Sequence, residues 1–158
     1  MVFKRIDKSN TVLVLVIVAQ LLATSLWFLG NAILPLLGKE FPLSIQNLSW
    51  FTLCVHLGFV SGSLCIAKLG LADRYSPVRI FTLACILAAF VNTSLIILPI
   101  NSFSILTTRI LSGVCLAGIY PIGIKLVADW RQKNLGSLLS WFVAALVAGS
   151  SLSFAMRY

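Results

Sequence analysis

Charged side chains are scarce in this chain. They make up 10% of its residues while hydrophobic residues make up 59%; a soluble domain carries about a quarter charged residues. Too few polar groups remain to cover a surface in contact with water, so lipid is the natural solvent. There is a single histidine, and none of the four cysteines (Cys54, Cys65, Cys85, Cys115) belongs to a CxxC pair. All four lie inside apolar runs, which argues against a zinc site or a disulfide framework and leaves them as small packing groups. With neither a metal cluster nor a nucleophile–base pair, nothing points to a membrane enzyme, and no cofactor or metal is expected. Long polar stretches between the apolar runs are also missing. That excludes a nucleotide-binding domain, a kinase or a receptor ectodomain. Nor do the runs alternate apolar with polar residues, as the strands of a membrane barrel do.

What the chain does have is five continuous apolar runs, at about 11–37, 48–69, 78–98, 103–128 and 135–156. Each is near the ~20 residues that a ~30 Å hydrocarbon core requires of a helix. Lipid admits only helices or closed barrels, so the expected fold class is all-α: one polytopic transmembrane bundle of five spans. The basic start (Lys4, Arg5, Lys8) and the apolar run from Thr11 have the form of a signal peptide. That run continues well past the ~7–15 residues of a signal core, so it reads as a retained first span, broken at its far end by Gly30, Asn31 and Pro35.

The net charge of +8 would suggest nucleic acid in a soluble protein. Here the twelve Lys and Arg are spread over short loops, and no nucleic-acid partner is expected. Nine of them (Lys4, Arg5, Lys8, Lys68, Arg74, Arg79, Lys125, Arg131, Lys133) fall on the side of the N-terminus, the 2–3 loop and the 4–5 loop. Lys39 and Arg157 fall on the other side, and Arg109 lies inside a run. The positive-inside rule then puts the N-terminus in the cytoplasm of a multi-pass protein of the cytoplasmic or inner membrane.

The loop after the second run reads Lys68-Leu-Gly-Leu-Ala-Asp73-Arg74-Tyr-Ser-Pro-Val-Arg79. A carboxylate at this place can pair with Arg74 or Arg79, or accept hydrogen bonds from a helix N-terminus. Such a contact can hold two parts of a bundle together in one conformation and release them in another. The charges can equally be a solvated loop that only sets topology. The segment resembles the signature loop between spans two and three of the major facilitator superfamily, roughly G-x-L-A-D-R-x-G-R-K/R-R. Asp73 and Arg74 match its acid–base pair and Arg79 its last basic position. The leading glycine comes one place late, at Gly70, and Ser76-Pro77 stands where the pattern has glycine and a basic residue. Proline biases Ser76 toward extended backbone. The resemblance implies that Asp73, Arg74 and Arg79 form a cytoplasmic gating loop.

The fourth run carries Arg109-Ile-Leu-Ser-Gly113, then Gly118, Pro121 and Gly123. An arginine about six residues into an apolar helix costs at least ~2.5–3.5 kcal/mol near the centre and less toward the interface. It needs a partner or a wet cavity, unless it snorkels to the surface. Superfamily members carry a similar R-x-x-x-G in span four, and the resemblance implies substrate or proton handling by Arg109. Gly113 and Gly118 suit close helix packing and, with Pro121, a bend. Lys125 and Trp130 read as interfacial anchors beside Asp129. Among the remaining polar residues, Gln20, Thr24 and Asn31 fall near one helical face. With His56 and Asn92 they are candidates to line a solute cavity or to bond between helices. The fifth run lacks the G-x-x-x-G-P pattern of many antiporters in the family, which tilts the reading toward uptake or uniport.

The expected partners are the lipid bilayer and a small solute, with or without a proton. A full transporter of this kind has two six-span halves, and its substrate site lies between them. This chain resembles the first five spans of the first half. The expectation is therefore a fragment that works with a second half or another copy. The competing reading is a truncated, non-transporting membrane protein or a small helical scaffold.

Overall fold

The computed structural model describes residues 14–28, 45–97, 101–130 and 135–155, and among these it is helical apart from short turns, with no strand. The helices are α1 (Val14–Phe28), α2 (Ile45–Lys68), the short α3 (Leu71–Arg74), α4 (Pro77–Ser94), α5 (Ser102–Ala117), α6 (Tyr120–Trp130) and α7 (Leu135–Ala155). Three stretches are long and apolar enough to cross a membrane: Ser49–Lys68, Pro77–Ser94 and Ser102–Asp129. Within the described residues, Val14–Phe28 and Gly136–Ser151 are apolar but shorter. The far end of the first apolar run, with Gly30, Asn31 and Pro35, lies outside the described residues.

Local chemistry sets the helix ends. α2 stops at Gly70, whose φ of 58° is left-handed, a conformation that costs glycine little. The late glycine of the loop motif therefore sits where this chain needs it. α4 begins with Pro77 at its first position, where the missing N–H is no loss. Ser76 before it has ψ 123°, as a residue preceding proline prefers. Asn101 caps α5, its Oδ1 accepting from the Ser104 N–H at 2.8 Å. Between α5 and α6 the apolar run is interrupted. The Gly118 and Ile119 N–H groups bond three residues back, to Cys115 and Leu116 carbonyls at 2.9 and 3.0 Å. Pro121 explains the break: it has no N–H for the Ala117 carbonyl, and its ring crowds that group.

α2 and α5 form the tightest contact, and glycine makes it possible. Gly58 and Gly62 lie four residues apart on α2, and Gly113 faces them from α5. A Cβ on Gly58 would strike the Ile110 carbonyl, and one on Gly113 would strike the Val55 carbonyl. One on Gly62 would come within 3.0 Å of Val114 Cα. Lipid supplies little hydrophobic drive between helices, so close backbone approach does the work of association. α4 packs on the other side of this pair, where Ala84 fills the space left by Gly118. α7 packs on α6, with Phe142 (1% exposed) set against Gly123 and Tyr120. α1 lies against α2 through Trp27 on Phe59, centroids 5.0 Å apart. It lies against α7 where Gly149 meets Leu21 and Thr24. One core cluster, including Val55, Phe81, Leu116, Ile119, Leu126 and Phe142, joins the layers.

Gly58→Ala is expected to destabilise the bundle by about 1–3 kcal/mol, the usual cost of overpacking. Gly136→Ala, with nothing within 4 Å of its added methyl, is expected to be neutral. Unfolding of both variants in mixed micelles, followed by circular dichroism, checks the difference.

Candidate functional site

Two polar sites stand out, near opposite ends of the bundle. The first is built on the loop that begins at Gly70. Its left-handed turn starts α3, and the Asp73 and Arg74 N–H groups both bond to the Gly70 carbonyl, at 3.1 and 3.0 Å. Asp73 is thereby presented outward, 82% exposed, to the Lys125 ammonium of α6 at 2.6 Å. The same ammonium donates to the Ala72 carbonyl at 2.9 Å. Among the described residues neither Arg74 nor Arg79 makes an ion pair with Asp73; both are exposed. The partner of the acid is thus Lys125, which sequence reasoning treated as an interfacial anchor. Under the tie lies a cavity of about 210 Å³ whose lining includes Ser63, Ala117 and Pro121.

The Lys125 hydrogen bond, and second its charge, hold the Asp73 carboxyl below its ordinary range. A lowered carboxylate pKa stabilises the fold above the unfolded value of about 3.9, and the contribution is lost as pH falls through the lowered value. The pair is open to water, so its contribution is small and salt-sensitive.

The second site centres on Arg109, which is 4% exposed. It lies seven residues into α5, facing α4. Its Nη2 donates to Asn92 Oδ1 at 3.4 Å. Asn92 in turn donates to Ser112 Oγ at 3.2 Å and to the Ala88 carbonyl at 2.8 Å. Nη1 is buried without a hydrogen-bond partner. Among the described residues, no carboxylate pairs with this guanidinium. The arginine is not snorkelling: it is enclosed by protein and partly satisfied by neutral groups. Gly113, one turn on, sets α5 close against α2.

The other candidates divide. Gln20 and Thr24 are buried, and they bond to each other within α1: Gln20 Nε2 donates to Thr24 Oγ1 at 3.3 Å, and Thr24 Oγ1 donates to the Gln20 carbonyl at 2.6 Å. Gln20 Oε1 and Trp27 Nε1 are buried without partners. His56 is exposed on α2, its Nδ1 2.7 Å from the Thr52 carbonyl and its ring edge-on to Trp27 at 5.6 Å. Asn92 alone of these joins Arg109. Asn31 lies outside the described residues, as does the side chain of Trp130. Sequence reasoning missed Ser112 and the Gly58–Gly62 pair. The second was visible as small residues four apart in an apolar run.

Lys125→Gln is expected to raise the Asp73 pKa toward about 3.9. A carboxyl ¹³C titration of both proteins reads the change directly; an unmoved midpoint would remove Lys125 as the cause.

Residues 16–156 match the family model of the Major Facilitator Superfamily. Neither the curated proteins nor the solved structures yield a significant match. The family match spans nearly the whole chain and agrees with the apolar helices, so the chain belongs to the Major Facilitator Superfamily of membrane transporters.

Proposed function

We propose that the chain moves a small solute across a cell membrane as part of a major facilitator secondary transporter. The observation that carries this reading is Arg109, buried in the bundle with one terminal nitrogen unpartnered. Ionisable groups at such positions are expensive and mark substrate or proton paths. In this reading Arg109, oriented by Asn92, meets an incoming solute or a proton-carrying group. Asp73, Arg74 and Arg79 form the gating loop, with Lys125 as the partner of Asp73. Gln20, Thr24, Asn31 and His56 are the further cavity candidates. Gly113 supports close packing, and Gly118 with Pro121 the interruption that lets the fourth span bend.

Five crossings, with the N-terminus in the cytoplasm of a cytoplasmic or inner membrane, belong to the same reading. They are supported by the nine basic residues on one side against two on the other. The path between halves is completed by a second half or a second copy.

The test is uptake into proteoliposomes of radiolabelled sugars, amino acids and organic acids, with the chain alone and with a co-expressed second half. For the solute that is taken up, Arg109→Gln is expected to slow transport about 10- to 100-fold, the worth of one charge-assisted hydrogen bond. Asp73→Asn and Lys125→Gln are expected to slow it less, with membrane insertion unchanged. Wild-type rates in Arg109→Gln would refute the role of the arginine, and no uptake in either arrangement would refute transport.

A further inference from the structure

A second cavity shares Arg79 with the gating loop but takes no part in the Asp73–Lys125 contact. It is an open-sided groove of about 390 Å³ on the outside of the bundle, where α2, α4 and α5 meet. Ile80, Leu83 and Leu87 of α4 and the half-exposed Val114 of α5 line it, together with the exposed Tyr75 and Arg79. The walls are carbon, and the polar groups gather at one end. From Arg79 to Leu87 is eight residues of helix, about 12 Å at the α-helical rise. One leaflet of hydrocarbon is about 15 Å deep. The length of the groove thus matches most of one leaflet.

The charge at that end is mostly positive. Lys68, Arg74 and Arg79 are all exposed there. The one acid of this loop, Asp73, is already held by Lys125. Among the described residues no carboxylate pairs with Arg79. An apolar slot one leaflet deep, headed by an uncompensated guanidinium and a phenol, matches an acyl chain with a negative headgroup. A guanidinium binds phosphate through two parallel hydrogen bonds, and tyrosine suits the interface.

We propose that this groove binds an anionic phospholipid, its phosphate on Arg79 and Tyr75 and one acyl chain along Leu83, Leu87 and Val114. The inference rests on the chain lying in a membrane and is independent of whether it transports a solute.

Native mass spectrometry of the purified full chain, titrated with phosphatidylglycerol or phosphatidylcholine of the same acyl length, tests it. One phosphatidylglycerol is expected to be retained preferentially. Arg79→Gln should lower that preference about fivefold, the worth of one basic residue at an anionic surface, and Arg79→Lys should restore part of it. Val114→Phe, which puts a larger side chain into the groove lining, should weaken binding of both lipids. Arg74→Gln, outside the groove lining, should change little. Circular dichroism confirms that each variant is folded, and the exposed Arg79 keeps the test independent of groove packing. Equal retention of the two lipids by the wild type would overturn the proposal, as would an unchanged preference in Arg79→Gln. A dimer that Val114→Phe converts to monomer without loss of lipid would overturn it too, and would make the groove an interface between copies.

Discussion

The contact on which the rest of the bundle depends is the meeting of α2 and α5 backbone to backbone. Lipid gives helices little hydrophobic reason to associate, so what holds two of them together is how closely their surfaces fit. Gly58 and Gly62 on one side and Gly113 on the other remove the side chains that would keep them apart. The consequence reaches the polar residues. Arg109 and Ser112 lie within one turn of Gly113. With the glycine face of α5 fixed on α2, these two residues meet Asn92 of α4. The position of the buried charge thus follows from three residues that carry no side chain.

Much of this was legible in the chain, and what escaped shares a cause. Apolar length pointed to an all-helical bundle, because hydrocarbon thickness and backbone satisfaction leave few alternatives; within the described residues the first run is α1, Val14–Phe28, and the fourth is divided into α5 and α6. Pro77, Gly70 and Pro121 marked ends and a break, because proline and glycine act on their own backbone. The loop motif was readable for the same local reason. The partner of Asp73 was not. Lys125 lies 52 residues away, while Arg74 and Arg79 are next to it in sequence; only the packing of α6 beside α3 decides among them. The polar face of Gln20 and Thr24 shows the reverse. Their spacing of four suggested a shared face, and four residues is also the spacing at which two side chains in one helix bond to each other, as these do.

The chain's departures from the loop pattern have local structural consequences. Where the pattern has glycine and a basic residue, Ser76-Pro77 starts α4 directly. Lys125 of α6 holds both the Asp73 carboxylate and the Ala72 carbonyl. The tie that joins loop to bundle is thus a charge contact whose basic partner comes from another helix.

The two charged sites differ in their access to water. A ligand can shift a conformational equilibrium only by its differential affinity for the two states, so a contact that opens and closes must be weak enough for that affinity to overcome. Asp73 and Lys125 meet in reach of water, where breaking the pair exposes both groups to a good solvent. Arg109 has no such exit. Enclosed among Asn92, Ser112 and apolar side chains, it would leave its charge stranded in hydrocarbon if the neighbours parted without a replacement. On the transport reading this separates the roles by solvation alone. The exposed pair can act as a latch, and the buried guanidinium can act as the group whose incomplete hydrogen bonding gives an arriving partner something to complete.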